Sequence, residues 1–174
     1  MSEKVRILVA YDSQTGNTEK MAKAVAEGAS IAGAEVSLKK VADITVEDFL
    51  ENDGFAFGTP THCGVMSTKM NELFTKIAIP AWGKMNGKVG AAFSSSGGFG
   101  GGNEMACLSI ILMMLNYGML VFGVPDYVAP NVTLHYGAVS VRNPGADELK
   151  ACRLLGKRLA EYASMVKTGL RLKD

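Results

Sequence analysis

The chain has 174 residues, with 18 Lys and Arg against 17 Asp and Glu and a formal net charge of +1. That length suits one domain spanning residues 1–174, able to bury about 70% of its unfolded surface without staples. The charge balance lacks the basic excess of a nucleic-acid footprint, so no nucleic-acid partner is expected.

In chain order, the N-terminal MSEKVR leads straight into a strand, so no secretory leader is expected. Residues 5–10 are an aliphatic run short enough for a strand buried on both faces. The run stops at Tyr11-Asp12. Six small polar residues follow: Ser13, Gln14, Thr15, Gly16, Asn17 and Thr18. A helical pattern then begins, with Met21, Ala22, Val25, Ala26 and Ala29. Backbone N–H groups of the loop and helix terminus converge there, and the helix dipole favours an anion. Ser13, Thr15 and Thr18 add hydroxyl donors, and Gly16 permits a tight backbone. The plainer alternative is a helix N-cap by Thr15 or Asn17 with nothing bound. The loop is neither G-x-x-x-x-G-K-[ST] nor G-x-G-x-x-G. Its uncharged donors suit a phosphate monoester.

Gly33 ends the first helix, and residues 35–41 alternate enough for an edge strand. Thr45 caps a short helix through Leu50. Residues 53–58 form an apolar strand that opens into a second polar loop, residues 59–64. Residues 66–79 read as a helix, with Met66, Met70, Leu73, Phe74 and Ile77 at helical spacing and Pro80 barring its continuation. Residues 88–94 are the next buried strand. A third loop rich in serine and glycine, residues 94–102, follows it.

A long apolar helix runs from Asn103 to Gly118. Residues 105–124 are almost uncharged and long enough to span a bilayer. Asn116-Tyr117-Gly118 interrupts them, so helix then strand (residues 119–124) is preferred to a membrane span. Residues 126–145 read as irregular or short-stranded, and residues 146–167 as an amphipathic helix. The cysteines Cys63, Cys107 and Cys152 are odd in number and lack metal-ligand spacing. They point to no metal and to a reducing, cytoplasmic setting.

Five alternations of strand and helix imply an α/β fold, a doubly wound parallel sheet with right-handed crossovers and helices on both faces. The three polar loops follow strands 1, 3 and 4. In such sheets ligands sit at the carboxyl ends of the strands.

The S-x-T-G-N-T of residues 13–18 resembles the FMN-phosphate loop of the flavodoxins. The G-T-P-T-H-C-G-V-M of residues 58–66 resembles the G-T-P-T-R-x-G-x-M of the WrbA family of NAD(P)H:quinone oxidoreductases. The third loop with Glu104 resembles that family's S-S-T-G-x-G-G-G-x-E. The resemblance spans residues 4–165. It implies a flavodoxin-like five-stranded sheet of order 2-1-3-4-5 that binds FMN. Ser13, Gln14, Thr15, Gly16, Asn17 and Thr18 would hold the phosphate. Pro60, Thr61, His62, Cys63 and Gly64 would line the flavin ring, and Ser95, Ser96, Gly97, Gly98, Phe99, Gly100 and Gly101 would flank its other edge.

His62 stands where the family usually has Arg, and as an active-site residue it would carry a pH-dependent charge. Asn116 falls where the family often has a flavin-side His, so active-site contact and helix cap both stand. Cys63 is expected to fill the loop and Trp82 to pack. His135 falls in a segment resembling one near the family's site mouth, with a surface residue as the other reading.

The second loop has no Trp, Tyr or Phe, the third has only Phe99, and the surface is not acidic. These features favour an enzyme over a one-electron shuttle. The expected activity is ping-pong: NAD(P)H reduces FMN and leaves, and a quinone then takes two electrons. A flavodoxin-type carrier is the alternative. The helix of residues 103–118 shows almost no polar face, which predicts a homo-oligomer, a dimer or a tetramer as in the WrbA-like proteins. Burial under residues 126–145 is the competing account.

Overall fold

The computed structural model describes residues 4–130 and 132–169. In chain order the elements are β1 (Arg6–Tyr11), α1 (Asn17–Ile31), β2 (Glu35–Lys40), α2 (Val46–Glu51), β3 (Gly54–Pro60), α3 (Thr68–Glu72), β4 (Val89–Ser96), α4 (Asn103–Asn116), β5 (Leu120–Val121), β6 (Val124–Ala129), β7 (Val132–Leu134), β8 (Ala138–Val141) and α5 (Ala146–Gly169). The sheet order is β2-β1-β3-β4-β5, with all pairings parallel and β8 also paired to β4. This is the expected topology, with helices on both faces.

Alternating side chains divide the core between the two faces. Ile7 and Val9 pack with Val25 and Leu155 on the α1–α5 side. Leu8, Ala10, Phe55 and Phe57 pack with Phe49, Phe74 and Ile110 on the α2–α3–α4 side. Phe49, Phe55 and Phe57 stack with centroids 5.9–6.3 Å apart. On the other side α1 and α5 touch backbone to backbone. A Cβ at Gly28 would lie 2.0 Å from the Arg153 carbonyl oxygen, and one at Gly156 would lie 1.9 Å from that of Val25. Glycine at both positions lets the helices pack this closely.

Two expectations need correction. The fifth strand does not run through residues 119–124: only Leu120 and Val121 pair with β4, beside Val89 and Gly90. The chain then leaves the sheet for the antiparallel hairpin β6–β7 and returns as β8 beside Phe93–Ser96. The outer strand is thus split in two, and the sequence showed only its first half because residues 126–145 lack a long apolar run. The helix read over residues 66–79 is also broken. Ser67 caps α3 by accepting from the Met70 N–H, a π-helical turn spans Leu73–Ile77, and Pro80 lies in a 3₁₀ turn, Ile79–Ala81.

Because the strands are parallel, the loops after β1, β3 and β4 share one end of the sheet. Among the described residues no helix is long and apolar enough to cross a membrane.

Candidate functional site

The first loop joins β1 to α1. Gly16 occupies the N-cap of α1 at φ 84°, and no side chain caps the helix there. The side-chain cap by Thr15 or Asn17 that stood as the alternative is therefore not made. Ser13 Oγ accepts from Gly16 N–H at 3.1 Å and shapes the turn. Gln14 and Thr15 are exposed, and a Cβ at Gly16 would meet nothing within 4 Å. The result is an open concavity of backbone N–H groups and hydroxyls at the positive end of a 15-residue helix. That donor set fits a phosphate monoester. Thr18 is fully buried, and its hydroxyl meets that of Ser95 at 2.9 Å, bridging the first loop to the third.

The second loop is held just as firmly. Thr59 Oγ1 accepts from Ser67 N–H at 2.8 Å, and Thr61 N–H donates to the Ser95 carbonyl at 2.7 Å. His62 and Val65 exchange backbone hydrogen bonds at 2.9 and 3.0 Å across a tight turn. Its two central residues, Cys63 and Gly64, have φ of 50° and 83°. Positive φ at both central positions is the geometry of a type I′ turn. His62 is half-buried and Cys63 is exposed. A Cβ at Gly102 would come within 3.1 Å of Gly64 Cα, so the third loop crosses close to this turn.

The third loop begins as β4 ends. Ser96 Oγ donates to the Gly98 carbonyl at 2.8 Å, so its hydroxyl shapes the loop. Gly101 N–H bonds the Gly98 carbonyl at 3.2 Å, and Gly100 has φ 72°. Gly97 and Gly98 have open space where a side chain would be. Phe99 does not lean over the neighbouring loops: its side chain is 99% exposed.

Four supporting residues were not anticipated from sequence. Buried Asn103 donates through Nδ2 to the Ser140 carbonyl at 2.9 Å, and Thr61 Oγ1 meets Ser94 Oγ at 3.0 Å. Arg142, after β8, holds φ 59°, donates its N–H to the Ser96 carbonyl at 2.7 Å and its Nε to the Gly97 carbonyl at 3.1 Å. Cys63 and Arg142 are the only non-glycine residues at positive φ among those described, and both lie at this end of the sheet. Each sits in the left-handed region, which a side chain disfavours by about 1–2 kcal/mol. Only the split of the outer strand brings Ser140 and Arg142 here, so nothing in the local pattern marked them.

Asn116 is not part of this constellation. It is exposed at the far end of α4, whose Gly118 carbonyl accepts from Gly87 N–H before β4 begins. A 14-residue helix, about 21 Å long, separates it from the loops of its own chain. Trp82 lies at that far end too, its ring 4.6 Å from Tyr117, whose hydroxyl donates to the Phe74 carbonyl at 2.5 Å. Trp82 therefore packs against the far end of the core. His135 is exposed at the turn leading into β8. Among the described residues no cluster of His, Cys, Asp and Glu is arranged to hold a metal.

Comparison with known proteins agrees with this architecture. The flavodoxin family model matches residues 9–106. A protein of Aquifex aeolicus (strain VF5) named flavodoxin is 54% identical over 166 residues, covering 94% of this chain and 90% of the relative. A protein of Archaeoglobus fulgidus named NAD(P)H dehydrogenase (quinone) is 37% identical over 189 residues, covering 91% and 97%. A solved flavodoxin from the domain Archaea superposes with a TM-score of 0.76 at 26% identity, covering 92% of this chain and 99% of that one. In fold, the WrbA-like flavodoxin from Agrobacterium tumefaciens is similar too, with a TM-score of 0.75 at 24% identity and coverage of 93% and 99%.

Proposed function

Because this chain belongs to the flavodoxin family, we propose that it is an FMN-dependent oxidoreductase passing two electrons from NAD(P)H to a quinone by a ping-pong mechanism. FMN supplies the redox chemistry when bound, taking a hydride from the donor and giving two electrons to the acceptor. The protein's part is placement. Ser13, Thr15, Gly16, Asn17 and the α1 terminus would hold the phosphate. Thr61 and the type I′ turn of His62, Cys63, Gly64 and Val65 would face one edge of the ring, with their backbone N–H groups within reach of its heteroatoms. Residues 95–98 would close the other edge. His62 would lie beside the reacting face, able to donate to a bound carbonyl.

The observation that carries the enzymatic reading is the uncovered face. The 62–65 turn offers no Trp, Tyr or Phe, and the one aromatic ring of the third loop points into water. A nicotinamide and then a quinone have room to stack there in turn. The relative from Archaeoglobus fulgidus named for that reaction supports the same reading. The test is anaerobic mixing of FMN-loaded protein with NADH and with NADPH, followed at the flavin absorption band. Rapid bleaching by one of them, and recovery on adding a quinone, is expected. A flavin that stays oxidised with both sinks the proposal. The second reading, an electron carrier without substrate turnover, is favoured by the relative named flavodoxin at 54% identity. It predicts no reaction with either nicotinamide.

The outer face of α4 supports assembly. Met105, Leu112 and Leu115 are exposed along one side, Leu112 to 66%. Hairpin β6–β7 packs on α5 instead, and among the described residues nothing in 126–145 buries these three side chains. We infer a homo-oligomer, dimer or tetramer, joined through α4. An antiparallel pairing of two such helices would carry Asn116 of one copy to the loops of the other. Light scattering that returns a monomer mass overturns this. Three free thiols suit a reducing, cytoplasmic setting.

A further inference from the structure

The third loop has two sides. Ser95 joins the first and second loops, through its hydroxyl on Thr18 and its carbonyl on Thr61 N–H, while residues 99–102 form one wall of a cleft of about 350 Å³. No described residue of the first or second loop lines it. Val132, Val139 and Val141, from β7 and β8, line it too, as do Glu104 and Glu148. At its edge sits Phe99, on a four-residue turn closed by Gly101 N–H on the Gly98 carbonyl. The turn is pinned at its base by Ser96 and Arg142. A rigid support thus presents a phenyl ring almost wholly to water, which is the arrangement of a stacking platform without its ligand.

The chemistry of the walls restricts what fits. An aromatic ring facing valines accepts a flat heterocycle. Among the described residues nothing hydrogen-bonds the Glu104 carboxylate, and Glu148 has one oxygen left after Oε2 accepts from Gly145 N–H at 3.0 Å. Carboxylates in this position accept from hydroxyls and repel phosphate. Arg142 follows Val141 in the chain, and its Nε is held on the Gly97 carbonyl, two residues before Phe99, which keeps a cation close to this loop. A flat base, a hydroxylated sugar and an anion just outside are the parts of an adenosine diphosphate.

We propose that this cleft receives the adenosine end of the nicotinamide donor. Phe99 stacks on the adenine, and Glu104 and Glu148 accept from the ribose hydroxyls. The chain therefore prefers NADH to its 2′-phosphorylated counterpart. The inference rests on the reductase reading above and names the donor for it.

Calorimetric titration of the FMN-loaded protein with ADP-ribose and with 2′-phospho-ADP-ribose tests this without any redox reaction. Wild type should bind ADP-ribose about tenfold tighter than the phosphorylated probe. Phe99→Ala should weaken ADP-ribose about tenfold and leave FMN affinity unchanged, since the ring touches neither fold nor phosphate loop. Glu104→Gln combined with Glu148→Gln should bring the two probes to near equality. Equal binding of both probes by wild type, no binding of either, or an unaltered Phe99→Ala variant overturns the cleft assignment. If ADP-ribose binds as expected but neither nicotinamide bleaches the flavin, the cleft stands as a nucleotide site and the reductase reading falls.

Discussion

The hydroxyls of Thr18 and Ser95 meet at 2.9 Å, buried, and join the first turn of α1 to the end of β4 across 77 residues of chain. Through this one contact the first and third loops share a common support. Thr18→Val keeps the shape and strands the Ser95 hydroxyl. The expected cost is about 1–2 kcal/mol in urea unfolding, with a loss of FMN affinity in a fluorescence titration. Unchanged affinity would show that the two loops are positioned independently.

Gly16 and Gly156 should respond differently to alanine. At Gly16 the added methyl meets nothing, so only the left-handed backbone objects, at about 1–2 kcal/mol. At Gly156 the methyl would sit 1.9 Å from the Val25 carbonyl oxygen, and α1 and α5 would have to separate. Gly156→Ala should cost more, roughly 3 kcal/mol or above. Gly16→Ala should instead weaken FMN binding more than it weakens the fold. Denaturation midpoints and FMN titrations on the same two variants separate these effects.

Cys63 sits at φ 50° in a turn that favours glycine. Cys63→Gly removes that strain but loosens the unfolded chain, so stability should move by no more than about 0.5 kcal/mol. The thiol is exposed and does not fill the loop as expected, and the turn is set by its backbone, so turnover should persist. A tenfold or greater fall in turnover, with the flavin still bound, would assign the thiol a chemical role.

Lys88 stands where α2 runs out. Its Nζ donates to the carbonyls of Phe49, Leu50 and Asn52 at 2.8, 2.9 and 2.7 Å. Lys88→Met keeps a flexible apolar chain, removes the ammonium 5.7 Å from the Phe55 ring centroid, and leaves three carbonyls at a helix end without their donor. The expected loss is about 1–3 kcal/mol. Equilibrium unfolding measures it, and FMN affinity should not change because this end of the sheet is remote from the loops.

Burial pushes the Cys152 thiol up to about 12 from its ordinary 9.0, and burial pushes Cys107 up as well. In the unfolded chain both ionise near pH 9. Above that pH the folded state holds protons that the unfolded state has released, so stability falls as pH rises toward 12. The slope is at most about 1.4 kcal/mol per pH unit for each thiol. Cys152→Ala should flatten the decline over this window relative to wild type. Urea midpoints measured from neutral to alkaline pH would refute this if the two slopes coincide.

How much of this was legible in the sequence depends on distance along the chain. The alternation and the three loops could be read because strand, loop and helix follow one another locally, as in Val9, Ser13 and Val25, whereas the sheet order came with the family resemblance. The hairpin and β8 could not, because Ala138–Val141 is four residues long and gains its place only by pairing with Phe93–Ser96. Asn103 and Arg142 escaped notice for the same reason: their partners lie 37 and 45 residues away. Phe99 was assigned by position within a motif, and position does not say which side of a loop a ring will face.

The interruption of the outer strand has its own consequence. The excursion between Val121 and Ala138 leaves and returns through a neck pinched at two points. There a Cβ on Gly123 would strike the His135 carbonyl oxygen at 2.0 Å, and one on Gly137 would strike that of Ala92, also at 2.0 Å. Beyond that neck the hairpin is tied down again by α5: Val124, Val128 and Leu134 are buried in one cluster with Leu155 and Leu159, and Lys150 Nζ donates to the Val128 carbonyl at 2.7 Å. The hairpin is thus anchored at its root and along its inner side, and its outward positions are the ones free to change while the sheet stays the same.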